Sequence, residues 1–432
     1  MAQWRTDSYE FKQPHNVHLF EMNMVADELG NPINGSNPTG MAVDAFGRAR
    51  SSQPFTLFDS FHRYQDNGKI SEEAVGGSSA HNLNAGLIEC TINGNSGSHV
   101  YRESSRVFAY QPGKSLQILQ TYVFSPHKSG LRQRYGYYDT SNGIFLEQTD
   151  AGLCWVERST STGILTETRV YQSDWNYDIL DGNGVSRMTL DMTKAQIQFI
   201  DVEWLGLGSV RCGFVIDGKF ILSHTFHHAN IITGTYMATA CLPVRAEIEN
   251  VSATGSSSTL KVVCASVISE GGYELRGRPK TAGMEPKAVN NYNLHTAGTY
   301  YPVMSIRLKS NRLGAIVIPK NIELVGTTAS DFRYKIVSGA TITGGTWVSA
   351  GTDSSVEYNI NATSMSSGTD LYSKYLISTG TQSLTGELDS GTFKYQLERN
   401  TFTSTPLTFT LAVAAKENND KVLASINWEE IT

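Results

Sequence analysis

Short runs of Val, Ile, Thr, Tyr and Phe recur along almost the whole chain, and Gly, Asn, Asp and Ser separate them. Gln117–Phe124 and Gln198–Trp204 are typical runs, and helical periodicity is nearly absent. Many short strands with regular turn signals indicate an antiparallel sandwich. The sequence therefore predicts an all-β fold: a jelly-roll or concanavalin-like sandwich followed by a second, smaller β-sandwich. The clearest local element is a hairpin, in which Ser209–Ile216 and Lys219–His224 flank Asp217-Gly218.

Two segments interrupt the strand pattern of this 432-residue chain, which is long enough for two or three domains. Residues 1–50 contain successive Asn-Pro and Asn-Gly breakers, so we expect an extended N-terminal arm there. Residues 276–300 carry prolines and clustered positive charge without periodicity, which predicts an interdomain linker. The large sandwich is then expected over residues 51–275, and the C-terminal sandwich over residues 301–432.

The charge balance argues against nucleic acid as a partner. The chain has 35 Lys+Arg against 41 Asp+Glu and a net charge of -6, so it has no overall positive field. No run of 18 or more apolar residues occurs, and the first 30 positions lack the apolar stretch of a signal peptide. We therefore expect neither a membrane span nor a secretion signal.

The cysteines predict buried thiols rather than disulfides or a zinc site. Their number is odd, they lie far apart, and no Cys-x-x-Cys spacing occurs. This usage is typical of a protein that folds in a reducing cytosol. The five cysteines are Cys90, Cys154, Cys212, Cys241 and Cys264.

Asp201-Val-Glu203 is the first candidate for acid–base chemistry, because residues two apart on a strand point to the same face. Concanavalin-like retaining glycoside hydrolases use a strand motif Glu-x-Asp-x-Glu, with carboxyl groups about 5–5.5 Å apart. Phe199 stands where the first carboxylate of that motif would be. One chemical role has no candidate, so we interpret the pair as a solvated strand face or an interface contact.

His224, His227 and His228 are the candidates for a metal site. On a strand, residues four apart are about 13 Å from each other, too far to share a zinc ion bound at about 2.1 Å. We therefore interpret them as hydrogen-bonding histidines in an interface rich in strands. Asp181-Gly-Asn-Gly184 resembles a calcium loop, but its twelfth position is Met192 rather than a bidentate Glu, which favours a tight turn.

Aromatic and basic residues are the remaining candidates. Aromatic side chains on a sandwich surface could stack on sugar rings, but they also fill cores. Because they lie in strand-like runs, we expect the core for Trp155, Trp204, Trp347 and Trp428. Arg132-Gln-Arg134 lies in a strand with alternating faces, which predicts an exposed sheet surface.

Long strings of this sequence resemble a family of virion structural proteins of tailed bacteriophages, especially those that infect marine cyanobacteria. The resemblance covers most of positions 41–432 and is weakest over the first 40 residues. It rests on Phe108–Ser115, Gly130–Arg134, Gly143–Glu147, Leu190–Gln196, Asp201–Gly206, Phe214–Gly218, His224–Asn230, Ile268–Tyr273, Phe393–Asn400 and Ile426–Thr432. The resemblance implies a component of the phage particle, made in the host cytoplasm, and it carries over no catalytic residue.

The prediction is a non-enzymatic virion protein on the particle exterior, in a tail, baseplate, fibre or capsid decoration. No catalytic, cofactor-binding or metal-binding residue is assigned. The expected partners are other virion proteins and copies of the chain itself, as a homo-oligomer, with a trimer favoured; the arm would pair with a neighbour's open sheet edge. One alternative is a receptor-binding adhesin that recognises host-surface glycan through the large sandwich. A polysaccharide hydrolase is the other.

Overall fold

A computed structural model of the chain describes residues 53–274, 276–287, 291–379 and 395–431, with the backbone of residues 383–387. Within these residues the regular structure is strand, apart from a 3-10 turn at Gln172–Asp174. The predicted all-β fold with two successive sandwiches is confirmed. The predicted N-terminal arm, residues 1–50, lies outside the described residues.

The first sandwich precedes residue 270. Its strands are β1 (Phe55–Phe61), β2 (Ile70–Val75), β3 (Gly77–Asn82), β4 (Leu87–Ile92), β5 (His99–Ser104), β6 (Phe108–Ala109), β7 (Leu116–Val123), β8 (Leu131–Tyr138), β9 (Gly143–Thr149), β10 (Gly152–Ser159), β11 (Thr166–Tyr171), β12 (Gln196–Val202), β13 (Val210–Ile216), β14 (Lys219–Phe226), β15 (Cys241–Leu242), β16 (Val244–Asn250) and β17 (Ser258–Ser269).

Two antiparallel sheets form this sandwich. Among the described residues, one is an eight-stranded sheet in the order β14-β13-β12-β7-β17-β4-β3, with β1 also paired to β17. The other, counted over the same residues, is a seven-stranded sheet in the order β11-β10-β9-β8-β16-β5-β2. The short strands β6 and β15 pair separately.

The second sandwich follows residue 277. Its strands are β18 (Arg278–Gly283), β19 (Tyr292–Leu294), β20 (Tyr301–Leu308), β21 (Ile316–Gly326), β22 (Ala329–Ser338), β23 (Thr341–Thr343), β24 (Val348–Ser349), β25 (Val356–Asn359), β26 (Ser364–Ser366), β27 (Thr369–Thr379), β28 (Ser383–Glu387), β29 (Arg399–Asn400), β30 (Thr405–Pro406), β31 (Phe409–Ala415) and β32 (Asp420–Ile431).

Its two main sheets are again antiparallel. Over the described part of the chain, a five-stranded sheet runs β18-β32-β21-β28, with β19 also paired to β32. A six-stranded sheet, counted over the same part, runs β24-β25-β20-β31-β22-β27. β23 pairs with β26, and β29 pairs with β30.

Each sandwich has its own apolar core, and strand alternation builds it. Along β7 every second residue from Leu116 is buried, and β32 alternates in the same way. Trp155 lies in the first core and Trp428 in the second, each at most 1% exposed. A strand with one face on the core and the other toward solvent gives this period of two.

The sequence predicts a linker at residues 276–300, but the described residues of this segment include two strands. β18 and β19 lie within it, and both pair with β32. Pro279 suits an edge strand, because a proline there costs no hydrogen bond on the open side. Proline and positive charge thus indicate an edge strand of the second sandwich rather than a free connection.

Buried contacts join the two sandwiches. Glu103 of β5 is fully buried, and its carboxylate accepts hydrogen bonds from Arg399 at 3.0 Å and Thr401 at 2.6 Å. The backbone N–H of Arg399 also donates to the Ser105 carbonyl, at 3.0 Å. Arg106 forms an ion pair with Glu398 at 2.8 Å. The segment around residue 399 therefore attaches the second sandwich to β5.

The hairpin around Asp217-Gly218 is confirmed. β13 pairs with β14 from Ile216 and Lys219 onward, and both turn residues have positive φ, 52° and 74°. Two successive left-handed residues form the tight turn that an Asp-Gly pair favours.

Among the described residues, no helix is long and apolar enough to cross a membrane.

Candidate functional site

The outer face of the seven-stranded sheet carries a network of charged side chains, here called the arginine–glutamate face. Tyr135 and Tyr137 of β8 point into the core, so Arg134 between them points outward. The register places acidic and basic residues beside one another on neighbouring strands. The face comprises Glu103, Arg134, Glu147, Arg158, Glu167, Arg169, Arg245 and Glu247.

The carboxylates of this face are bound to guanidinium groups. Arg134 contacts Glu147 at 2.6 Å, and Arg158 contacts Glu167 at 2.6 Å. Arg245 contacts both Glu103, at 2.7 Å, and Glu247, at 2.6 Å. Aromatic rings lie beneath the arginines: Arg158 over Phe145 and Tyr138, and Arg245 over Tyr138, Tyr101 and Phe402. The arginines thus satisfy the acids and cover the rings.

The protonation of this face follows from its geometry. Burial favours the neutral form, but hydrogen bonds and charge from the neighbouring arginines outweigh it and lower the pKa of Glu147, Glu167 and Glu247. A general acid for glycoside cleavage needs a raised pKa instead. These carboxylates are built to stay ionised and paired.

Asp201 and Glu203 have separate surroundings. Asp201 lies on the outer face of the eight-stranded sheet, 3.5 Å from Arg211, and burial raises its pKa against the effect of that arginine. Glu203 lies beyond the end of β12, where its carboxylate accepts the N–H of Ser209 at 3.3 Å. Within the described residues they share no hydrogen-bond partner, so the structure does not combine them into one acid–base pair.

The three histidines also have different partners. His224 is buried, which lowers its pKa to about 4, and its Nδ1 accepts the backbone N–H of Asn176. His227 is exposed, with its Nδ1 3.4 Å from the Ser209 hydroxyl. His228 contacts Glu157 at 2.6 Å. In the described part of the chain no group of three or more potential ligands could hold a metal ion.

Two loops leave the same end of the first sandwich. One connects β12 to β13 over residues 203–209, and the other follows β14 from residue 227. Val210 pairs with both Val202 and Phe226, so the ends of these strands are adjacent. The two loops therefore leave the sheet side by side.

Hydrogen bonds join these loops to each other. The carbonyl of Gly206 accepts the N–H of Tyr236 at 3.1 Å. His228 Nδ1 lies 2.6 Å from the Gly208 carbonyl, and its Nε2 lies 2.6 Å from Glu157. Since both partners are acceptors, both ring nitrogens donate, which requires the imidazolium form. Burial opposes that form, yet Glu157 raises the pKa of His228, and the Tyr236 ring stacks on it at 3.9 Å.

Beyond these hydrogen bonds, the two loops expose apolar side chains. We call Leu205, Leu207, Ile231 and Ile232 the loop tip; each is at least 37% exposed. Leu205 also has φ of 40°, a left-handed conformation that costs a residue with a Cβ about 1–2 kcal/mol. This apolar feature was not identified in the sequence analysis. The available signal was the presence of large aliphatic residues in two turn segments.

The other candidates are distributed as follows. Asp181 accepts the N–H of Asn183 at 2.8 Å, which closes a tight turn. Trp347 was expected in the core, but its ring lies outside both clusters and 4.0 Å from the Arg307 guanidinium. Arg134 was expected on an open surface and is 5% exposed. Sheet alternation predicts which face a residue occupies but not whether neighbouring side chains cover it.

The cysteine thiols are free in the described chain. Burial raises the pKa of Cys90 and Cys154 to about 12 and that of Cys212 well above its ordinary value. Cys241 and Cys264 are partly buried. The buried thiols of Cys90, Cys154 and Cys212 therefore remain protonated and pack as small apolar groups.

The sequence matches no protein-family profile and no curated protein. Solved structures that match part of this chain include the CBM2 module of the evolved Dit of Lactobacillus casei BL23 phage J-1, with 7% identity over 52% of this chain and 100% of that chain, TM-score 0.36. Peanut lectin shows 10% identity over 50% of this chain and 98% of its own, TM-score 0.31. The conserved carbohydrate esterase of Shiga toxin-encoding bacteriophage phi24B shows 10% identity over 50% of this chain and 100% of its own, with a TM-score of 0.30. At these values none of the three supports an inference about function, and the resemblance to tailed-phage virion proteins stays a prediction.

Proposed function

We propose that this chain is a non-enzymatic structural protein on the exterior of a tailed bacteriophage, and that its loop tip docks onto a neighbouring virion protein. The observation that carries the proposal is the exposure of Leu205, Leu207, Ile231 and Ile232 on two loops bonded to each other. Large apolar side chains exposed together on adjacent loops are typical of contact sites between proteins. The resemblance to phage virion proteins supplies the class of partner.

The hydrogen bonds beneath the loop tip favour docking, because they hold the two loops together before a partner binds. His228 bridges Gly208 and Glu157, so one imidazole joins both loops to β10. Leu205, whose backbone is left-handed, lies in the loop whose Gly208 carbonyl His228 contacts. A preformed apolar surface loses little conformational entropy when its partner binds.

The absence of enzymatic activity is proposed on the chemistry of the carboxylates. Arginines hold Glu147, Glu167 and Glu247 ionised, and Asp201 and Glu203 do not form a pair. We therefore expect no turnover of polysaccharide. A Glu203→Gln variant that abolished a measurable loss of polysaccharide viscosity would instead establish the hydrolase alternative.

The docking proposal is tested in whole particles. Leu207→Ser and Ile231→Ser are introduced together into the phage genome, and this chain is quantified in purified particles by mass spectrometry. We expect at least about a tenfold loss, because burial of each aliphatic side chain contributes about 1.5–3 kcal/mol. Val185→Ser is the matched control, since Val185 is 96% exposed on a different loop. Normal incorporation of the double variant, or absence of the wild-type chain from particles, would refute the proposal.

We further propose that the chain assembles as a homo-oligomer, with a trimer expected. Light scattering of the purified full chain measures this directly. A mass equal to one chain at high concentration would exclude self-assembly in solution, while the particle experiment would still test docking.

A further inference from the structure

The outer face of the six-stranded sheet of the second sandwich contains a groove of about 400 Å³. Phe332 and Tyr334 of β22 point into the core, so Asp331 and Arg333 point to the opposite face. Tyr300, Tyr375 and Lys416 also line the groove. It therefore brings aromatic rings and charged groups together at the surface.

The strand register gives the groove its shape. Arg333 of β22 lies opposite Ala414 of β31 on one side and Tyr375 of β27 on the other. The small side chain of Ala414 leaves a depression, and large side chains border it. The Tyr375 ring is 70% exposed, so it presents an apolar surface to solvent at this border.

One cation of the groove has no ion-pair partner in the part of the chain that the structure describes. Lys416 pairs with Asp331 at 2.9 Å, and Lys335 pairs with Asp370 at 2.9 Å. Among the described residues, Arg333 has no carboxylate partner, and its guanidinium lies 5.4 Å from the centre of the Tyr375 ring. The cation without an ion-pair partner is thus a planar group beside an exposed aromatic ring.

This combination favours a ligand with both an apolar ring face and a carboxylate. A guanidinium matches a carboxylate with two parallel hydrogen bonds. An exposed tyrosine offers an apolar surface against which the C–H groups of a sugar ring can pack, with a hydroxyl for hydrogen bonding. Shallow sites of this kind obtain specificity from a few placed polar groups. We propose that the groove binds a chain of carboxylated sugars, that is, a uronic-acid polysaccharide.

The inference goes beyond docking to the particle and does not require it. It places glycan recognition on the second sandwich, whereas the adhesin alternative from the sequence placed it on the first. A virion protein with such a groove would contact an acidic surface polysaccharide while its loop tip holds the particle. The binding assay below uses the purified full chain, so its failure is distinguishable from failure of docking.

Isothermal titration of the full chain with tetragalacturonate tests the proposal, with maltotetraose as the neutral sugar and tetraglutamate as the acid without a sugar. We expect binding of tetragalacturonate at least about tenfold tighter than that of either comparison ligand. Absence of tetragalacturonate binding would overturn the proposal. Equal binding of maltotetraose would overturn it, because the carboxylate would then not be recognised. Equal binding of tetraglutamate would also overturn it, because the sugar ring would then not be recognised.

Single substitutions then locate the site. Arg333→Gln and Tyr375→Ala should each weaken tetragalacturonate binding by about tenfold or more. Lys374→Gln is the matched control, because it removes one positive charge, as Arg333→Gln does, from the neighbouring strand β27 at a residue that does not line the groove. All three side chains are exposed, and unchanged urea midpoints would establish that the variants fold. Equal weakening by Lys374→Gln would refute the assignment to this groove.

Discussion

Glu103 is the residue at which a single isosteric change should most affect the joint between the sandwiches. Its carboxylate is fully buried and accepts hydrogen bonds from Arg245 at 2.7 Å, Arg399 at 3.0 Å and Thr401 at 2.6 Å. Glu103→Gln keeps the shape but removes the negative charge between two buried guanidinium groups. Removing one partner of a buried ion pair costs about 3–5 kcal/mol, because the opposite charge stays buried without compensation. We expect a loss of that size in the free energy of unfolding.

Urea denaturation followed by tryptophan fluorescence measures this loss. With an m value of about 3 kcal/mol per M, a loss of 3 kcal/mol lowers the midpoint by about 1 M. Trp155 and Trp428 lie in separate cores, so weakening the contact between the sandwiches should move their two unfolding steps further apart than in the wild type.

Glu73→Gln is the matched control for this experiment. Glu73 lies on the neighbouring strand β2, its side chain is 44% exposed, and it is 3.4 Å from His99. An exposed pair contributes at most about 1 kcal/mol. If Glu103→Gln costs no more than Glu73→Gln, the conclusion that this buried contact joins the sandwiches is refuted.

Four further predictions follow from the geometry. The pKa values of Glu147, Glu167 and Glu247 are lower in the folded chain than the unfolded value of about 4.3. Their ionised forms therefore stabilise the fold above about pH 4.3, and this stabilisation is lost as the pH falls through the folded pKa values. Thermal melting temperatures should accordingly drop steeply between about pH 5 and pH 3. The pKa of His228 is raised in the folded chain, so the pH dependence has the opposite sign. Protonated His228 stabilises the fold fully below its unfolded pKa of about 6.5, and this stabilisation is lost as the pH rises through its folded pKa. His228→Gln should abolish this part of the dependence of stability on pH. Gly136→Ala should cost about 1–3 kcal/mol in urea denaturation, because a Cβ there would lie 2.4 Å from the Ile144 carbonyl oxygen and from Phe145 Cβ. Alkylation at pH 8 should modify Cys90, Cys154 and Cys212 only after unfolding, as judged by peptide mass spectrometry, and fast native labelling of any of them would contradict their burial.

Local signals in the sequence were sufficient for the strands and the hairpin. Alternation along Leu116–Val123 and the Asp217-Gly218 turn each depend on neighbours in the chain, and the structure has both. β18 escaped prediction because its alternation is weak and its position comes from pairing with β32, far along the chain. Composition shows that such a segment is not a core strand, but it cannot show that another strand lies beside it.

The arginine–glutamate face was missed for a related reason. Arg245 and Glu103 are 142 positions apart and meet only because β16 and β5 are neighbours in the sheet. Their carboxylate–guanidinium contact depends on register, which a single sequence specifies poorly before the strand order is known. The same holds for the groove, where Ala414, Arg333 and Tyr375 come from three strands.

The two proposed surfaces can be separated experimentally because they use different parts of the fold. Leu205→Gly relieves the left-handed strain at φ 40° and also removes an apolar side chain from the loop tip. We expect it to leave the free energy of unfolding unchanged or to raise it by about 1 kcal/mol, since glycine adopts that conformation without a Cβ penalty. Loss of incorporation into particles by this stable variant, with tetragalacturonate binding unchanged, would assign docking to the first sandwich alone. A parallel loss of both properties would instead show that the loop tip and the groove act as one site, which their placement on separate sandwiches argues against.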